Sequence, residues 1–186
     1  MLKKIIFILI FTSISSSVLF AGKAAVSPLK IGDKAPTFYL KDIKNNDVFL
    51  RDYCGQKLRK PWKNKEKYVV VLSFWATWCA PCQKEIPILQ EIMDGYSGKN
   101  IKSFLIAVGE KKEKVAPFAQ KKKFRLPVLL DMYSMVSTKK YMVSALPRLF
   151  VIDQNGIIRH IEEGFENEQH LRKELKTVLD KLLSGT

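Results

Sequence analysis

Two cysteines separated by two residues, set where an apolar strand gives way to a helix, constrain this chain more than any other feature. The run from Tyr68 to Phe74 is apolar and predicts a buried strand, while Gln83 to Met93 carries apolar residues at helical spacing. Between them lies Trp75-Ala76-Thr77-Trp78-Cys79-Ala80-Pro81-Cys82. A Cys-x-x-Cys pair at such a junction is a dithiol that can close into a disulfide. Helix geometry divides the labour. Cys79 falls at the helix N-terminus, where free N–H groups and the positive end of the dipole stabilise a thiolate. Cys82 lies about a turn further in and is expected to be less exposed. Pro81 suits the first turn, where it has no N–H to lose. On this reading Cys79 attacks and Cys82 resolves.

A zinc site is the bland alternative, but zinc takes four ligands. Apart from this pair the chain offers only Cys54, His160 and His170, the histidines far downstream. An inert pair of core cysteines does not explain their place at a helix start. Redox chemistry is the stronger reading, with no metal and no cofactor implied. The segment Phe74 to Cys82 resembles the active-site stretch of the thioredoxin superfamily, and its extension Gln83-Lys84-Glu85-Ile86-Pro87 is similar to the extracytoplasmic, TlpA/ResA-like branch. The resemblance spans residues 28 to 183.

The N-terminus bears on where such a dithiol works. Met1-Leu2-Lys3-Lys4, an apolar run from Ile5 to Phe11, then serines and Val18 to Gly22 read as a secretory signal over residues 1–21. Leu19 sits where cleavage after Ala21 prefers a small residue. Because Ile5 to Ala21 approaches spanning length, an uncleaved signal anchor stays open. Either way the protein is expected outside the cytoplasm, in the periplasm or on the outer face of the membrane. There a dedicated partner must set the state of the dithiol. Residues 22–30 read as a linker and 31–186 as one thioredoxin-like domain.

The formal net charge of +14 comes mostly from lysine, dense over 57–67, 111–123 and 139–140. A solvated surface accounts for it most simply; the sharper reading is attraction to an anionic membrane surface or an acidic protein. Export argues against nucleic acid.

The opening Ile31-Gly32-Asp33-Lys34-Ala35-Pro36-Thr37-Phe38 resembles one shared by this branch and the peroxiredoxins. A peroxidatic site, however, has Pro-x-x-x-Thr/Ser-x-x-Cys, and the positions read back from Cys79 hold Ala76 and Leu72. Phe38 and Leu40 share one face of a strand, Asn45-Asn46-Asp47 signals a turn, and Val48 to Leu50 can return as a hairpin. Cys54 reads as a buried small hydrophobe, as a thiol that pairs between chains, or as a flagged free thiol, with no catalytic role. Trp62, in the lysine-rich loop, is expected to cover the core.

Further on, Lys102 to Val108 predicts a strand, Glu110 to Lys122 a helix that Pro117 kinks or starts late, and Pro127 to Leu130 a short strand. Asp131 can cap a short helix through Tyr141. Gln154-Asn155-Gly156 turns a late hairpin, and Asn167 can cap a closing helix over 168–183. The expected class is α/β: a thioredoxin-like fold whose mixed central sheet is flanked by helices, with an N-terminal β-hairpin extension.

The resemblance also assigns roles. Pro147 matches the superfamily's cis-proline, which would expose the backbone of Leu146 to an extended substrate segment. Trp78, Leu146 and Pro147 would therefore contact substrate, although bulky Leu146 and charged Arg148 depart from the frequent Thr-rich version. Cytoplasmic thioredoxins place a buried aspartate two residues before the first tryptophan; here that position is Ser73. Glu85, three residues beyond Cys82 on the same helical face, holds the glutamate that serves the TlpA/ResA-like branch as base. Partial burial would raise its pKa toward neutrality. Pro87 reads as structural.

The expected function is an exported thiol–disulfide oxidoreductase that reduces disulfides of other exported proteins, apocytochrome c among the candidates, and is recharged by a membrane dithiol donor. The competitors are a disulfide-forming oxidant and a copper-binding chaperone using the same thiols with His160.

Overall fold

The computed structural model describes residues 28–184, Trp62 excepted. The expected signal or anchor, most of the linker and Trp62 thus lie outside the described residues. Within them, no helix is long and apolar enough to cross a membrane.

The central strand is β3, Val69–Trp75, buried at every position. Alternation in a strand sends successive side chains to opposite faces, so both faces must be covered. Val69, Val71 and Trp75 join one core with Ile86, Leu89, Val115, Leu171 and Leu175. Val70, Leu72 and Phe74 join the other with Phe38, Leu50, Tyr141 and Phe150. Burying each such side chain contributes roughly 1.5–3 kcal/mol.

The remaining elements follow from β3. Helix α1 (Ala80–Asp94) crosses to β4 (Ile101–Val108), and α2 (Lys112–Lys121) crosses to β5 (Val128–Asp131). Both connections join parallel strands. Right-handed crossovers that advance in one direction put their helices on one face, and α3 (Glu168–Ser184) joins them there. The N-terminal hairpin, β1 (Tyr39–Asp42) and β2 (Asp47–Phe49), attaches antiparallel to β5. On the other side β6 (Arg148–Ile152) pairs antiparallel with β3, and β7 (Ile158–Glu163) closes the edge. The seven strands run β2-β1-β5-β4-β3-β6-β7, the mixed sheet of a thioredoxin-like fold with its expected hairpin extension.

All three α-helices described lie over one face. Loops and two short turns cover the other, Leu50–Asp52 as 3-10 and Met135–Lys140 as π. The expected helix after Asp131 is therefore a wide turn. The Asp131 carboxylate accepts from the backbone N–H groups of Val136 and Ser137, at 3.2 and 2.7 Å, and Ser134 adopts a left-handed φ of 54°. Asn167 caps α3 as expected, its Oδ1 accepting from His170 N–H at 2.8 Å.

Cys54 resolves to the small-hydrophobe reading. It is a free thiol, 1% exposed, and burial, with the Asp153 charge added, pushes its pKa up to about 12. In the native protein at pH 8 it is expected to resist iodoacetamide for hours and to label only on unfolding. Mass-spectrometric labelling that finds Cys54 modified as fast as an exposed thiol would overturn this.

Candidate active site

The parallel strands β3, β4 and β5 end at the same sheet edge, and the dithiol stands there at the start of α1. Cys79 is the N-cap residue and forms a disulfide with Cys82, their Cα atoms 5.3 Å apart. The backbone N–H of Cys82 donates to Cys79 Sγ at 3.2 Å. That donor and the helix dipole would stabilise a Cys79 thiolate after reduction. Cys79 is 3% and Cys82 0% exposed, so the expected order holds by a narrow margin. The adjoining Trp78 is 69% exposed.

Glu85 is more deeply buried than expected, at 0% exposure. Its Oε1 accepts from the Ser73 hydroxyl at 2.8 Å, and Oε2 is buried without a hydrogen-bond partner among the described residues. Burial pushes the carboxyl up to about 7; the Ser73 hydroxyl works against this, and the charge of Glu162 adds to it. Ser73, where cytoplasmic thioredoxins carry their aspartate, thus supports the glutamate from the neighbouring strand.

The Leu146–Pro147 peptide bond is cis, and Pro147 is buried at the head of β6 beside β3. Among the described residues no hydrogen bond engages the backbone of Leu146, whereas the Pro147 carbonyl accepts from Gly164 N–H at 2.9 Å. Arg148 turns to the opposite face and pairs with Glu163 across the β6–β7 ladder at 2.5 Å.

Two features of the site escape the sequence reading. Glu110, just beyond β4, accepts from Thr77 N–H at 2.7 Å and Thr77 Oγ1 at 2.6 Å and pairs with Lys114 at 2.6 Å. Burial alone would raise its pKa, but the Lys114 and Thr77 hydrogen bonds outweigh it and hold the carboxyl below its usual range. This fixed carboxylate anchors the loop that carries Trp78 and Cys79. The second feature is Glu162, held between His160 and His170 at 3.2 Å each, on the same sheet face as Ser73. The only signals in the sequence are an acidic residue just past a strand for Glu110 and, for Glu162, one member of the adjacent pair Glu162-Glu163. Among the described residues, no three His, Cys, Asp or Glu side chains are grouped to hold a metal ion, and His160 is engaged with Glu162.

A family model described as AhpC/TSA matches residues 31–161. The chain belongs to the AhpC/TSA family. Within that family it is similar to the thiol-disulfide oxidoreductase ResA of Geobacillus kaustophilus, 31% identical over 86% of this chain and 82% of the relative. It is also similar to the thioredoxin-like protein YneN of Bacillus subtilis, 30% identical over 77% of this chain and 78% of the relative. Among solved structures, a candidate thiol:disulfide interchange protein DsbE from Chlorobium tepidum superposes with a TM-score of 0.70 at 27% identity, over 83% of this chain and 99% of the other. This AhpC/TSA member is a thiol–disulfide oxidoreductase: it carries a Cys-x-x-Cys pair on a thioredoxin-like fold and aligns with such enzymes over most of its length. Its Leu72 and Ala76 still lack the peroxidatic pattern, so family membership does not bring peroxidase chemistry with it.

Proposed function

We propose that the protein works outside the cytoplasm as a reductant of disulfides in other exported proteins. Residues 1–21 would act as signal or anchor. The Cys79 thiolate attacks a substrate sulfur; that S–S bond breaks and the first substrate thiolate leaves. The mixed disulfide is held beside Trp78 and the free backbone of Leu146, next to Pro147. Glu85 takes the proton from Cys82, whose thiolate attacks Cys79 Sγ. The second substrate sulfur departs as a thiolate that takes up a proton, and the two electrons given up as the Cys79–Cys82 disulfide forms end on the two substrate thiols.

The observation that carries this reading is Glu85 itself, fully buried one helical turn beyond Cys82 with one carboxylate oxygen on Ser73 and the other without a partner among the described residues, a setting that pushes its pKa up to about 7. A carboxyl poised there is ionised often enough at neutral pH to accept a thiol proton and basic enough to hold it. Apocytochrome c is the candidate substrate, with a membrane dithiol as donor. Equilibrating the pair against glutathione in a Cys54→Ser domain tests the direction. A potential at or below about −250 mV is expected, in thioredoxin's range, whereas about −120 mV would make the protein an oxidant that introduces disulfides.

A further inference from the structure

Among the described residues, the large apolar side chains standing in solvent are Ile31, Tyr39, Trp78, Met132, Tyr133 and Met135. Four of these six gather at the dithiol edge. The loops after β3, β4 and β5 leave the sheet side by side, since Trp75 pairs with Ala107 and Val108 with Asp131. They are also tied to one another. Thr77 is held by Glu110, and Gly109 N–H donates to the Asp131 carbonyl at 2.9 Å. Gly109 takes a φ of +70°, and a Cβ on it would meet Ser134 Oγ at 3.0 Å. Adjacent strands lie about 4.8 Å apart, so β5, whose end the Met132–Met135 loop follows, runs about 10 Å from β3, whose end the Trp78 loop follows, on the side of β3 away from β6 and Leu146–Pro147.

Such a strip of Met and aromatic side chains resembles the adaptable core of a protein interface more than a solvated loop. Its border is basic. Lys111 and Lys139 are exposed, Lys112 is half-buried, and Lys140 reaches the Thr37 carbonyl, against Glu113 as the exposed acid nearby. Trp78 belongs both to this strip and to the dithiol loop. Whatever covers the strip therefore lies against Cys79, and a bilayer there would close the dithiol to protein disulfides. We propose that the Met132–Met135 loop, with Trp78, is a docking surface for the partner protein. It takes an apolar segment flanked by acidic residues beside the partner's cysteine. This rests on the dithiol reading and names the chemistry of its partner.

The test compares three probes: 2-hydroxyethyl disulfide and two synthetic peptides, each in mixed disulfide with glutathione. One peptide carries leucine, phenylalanine and glutamate around its cysteine; the other carries serine and glycine. In every case the two electrons of the dithiol pass to the probe, which leaves as two thiols while the Cys79–Cys82 disulfide forms, and limiting dithiothreitol, its own background reduction of each probe subtracted, returns the enzyme to the dithiol for the next turnover. The wild type is expected to favour the apolar–acidic peptide by about tenfold or more in kcat/KM, the scale of one interface hot spot. The variant Met132→Ser/Tyr133→Ser/Met135→Ser is expected to lose that preference through KM while reducing 2-hydroxyethyl disulfide within about twofold of wild type. Lys111→Glu/Lys139→Glu, which leaves the apolar strip intact, is expected to lower the preference several-fold. Equal treatment of the two peptides by the wild type would overturn the proposal. So would a serine variant that keeps the preference but no longer sediments with mixed phosphatidylcholine–phosphatidylserine vesicles that bind the wild type; the strip would then be a membrane contact. A wild type inert toward 2-hydroxyethyl disulfide would overturn the dithiol reading beneath it.

Discussion

Replacing Cys82 with serine is expected to convert the enzyme into a trap that captures one substrate and keeps it. The attacking side of the site survives the change. The donor to Cys79 Sγ, at 3.2 Å, is the backbone N–H of residue 82, which serine retains, and the helix dipole is unaltered. A serine hydroxyl is too weak a nucleophile to displace the bound sulfur at neutral pH. Multiple turnover should fall by at least about 10³-fold, while the first attack proceeds and a stoichiometric adduct accumulates on Cys79. Cys79→Ser should fall as far with no adduct. Cys54, 1% exposed with its thiol pushed up to about 12, does not compete for the substrate. Intact-mass analysis checks this. Sustained turnover by Cys82→Ser, or an adduct mapped to Cys54, would mean the roles assigned to the sulfurs are wrong.

What the sequence disclosed about this site has a common physical character: it was written in local pattern. The apolar run into Cys79-Ala80-Pro81-Cys82 required a strand, a turn and a helix start. Glu85 followed Cys82 at helical spacing, so its burial near the thiols came with the helix. Asn167 capped α3 from the adjoining position. The parts that were not legible depend on long separations. Glu110 reaches back 33 residues to Thr77, and nothing near it in sequence announces the partner. That commitment also explains why α2 begins at Lys112 rather than at the expected Glu110. The turn after Asp131 looked helical, but the Asp131 carboxylate captures the N–H groups of Val136 and Ser137 and holds the chain in a wider turn. Glu162 raises the pKa of Glu85 because Ser73, Leu149 and Glu162 fall in one row across β3, β6 and β7, a register no single strand reveals.

Replacing Glu85 with glutamine is expected to cost activity and add stability, with the second effect switching on with pH. Glutamine keeps an oxygen to accept from Ser73 Oγ but cannot take the proton of Cys82. Release of the mixed disulfide should slow by about 10²-fold or more, while attack by Cys79 is spared. In the wild type the release rate should climb as pH rises through about 7, where the carboxyl ionises, and the glutamine variant should lose that step. The stability effect has its own sign. Folding raises the carboxyl from its ordinary 4.5 to about 7, so between these values the native state holds a proton that the unfolded chain has released. Stability therefore falls as pH rises across that window, by about 3 kcal/mol in all, and is not lost below pH 4.5. Glutamine has no such proton to lose. The stability difference between variant and wild type should accordingly grow by about 3 kcal/mol from pH 4.5 to 8, or about 6–12 °C in Tm. Any fixed cost of burying the amide cancels in that comparison. Thermal or urea unfolding at both pH values measures it, and a difference that stays flat would show that Glu85 does not titrate where the proposed proton transfer needs it to.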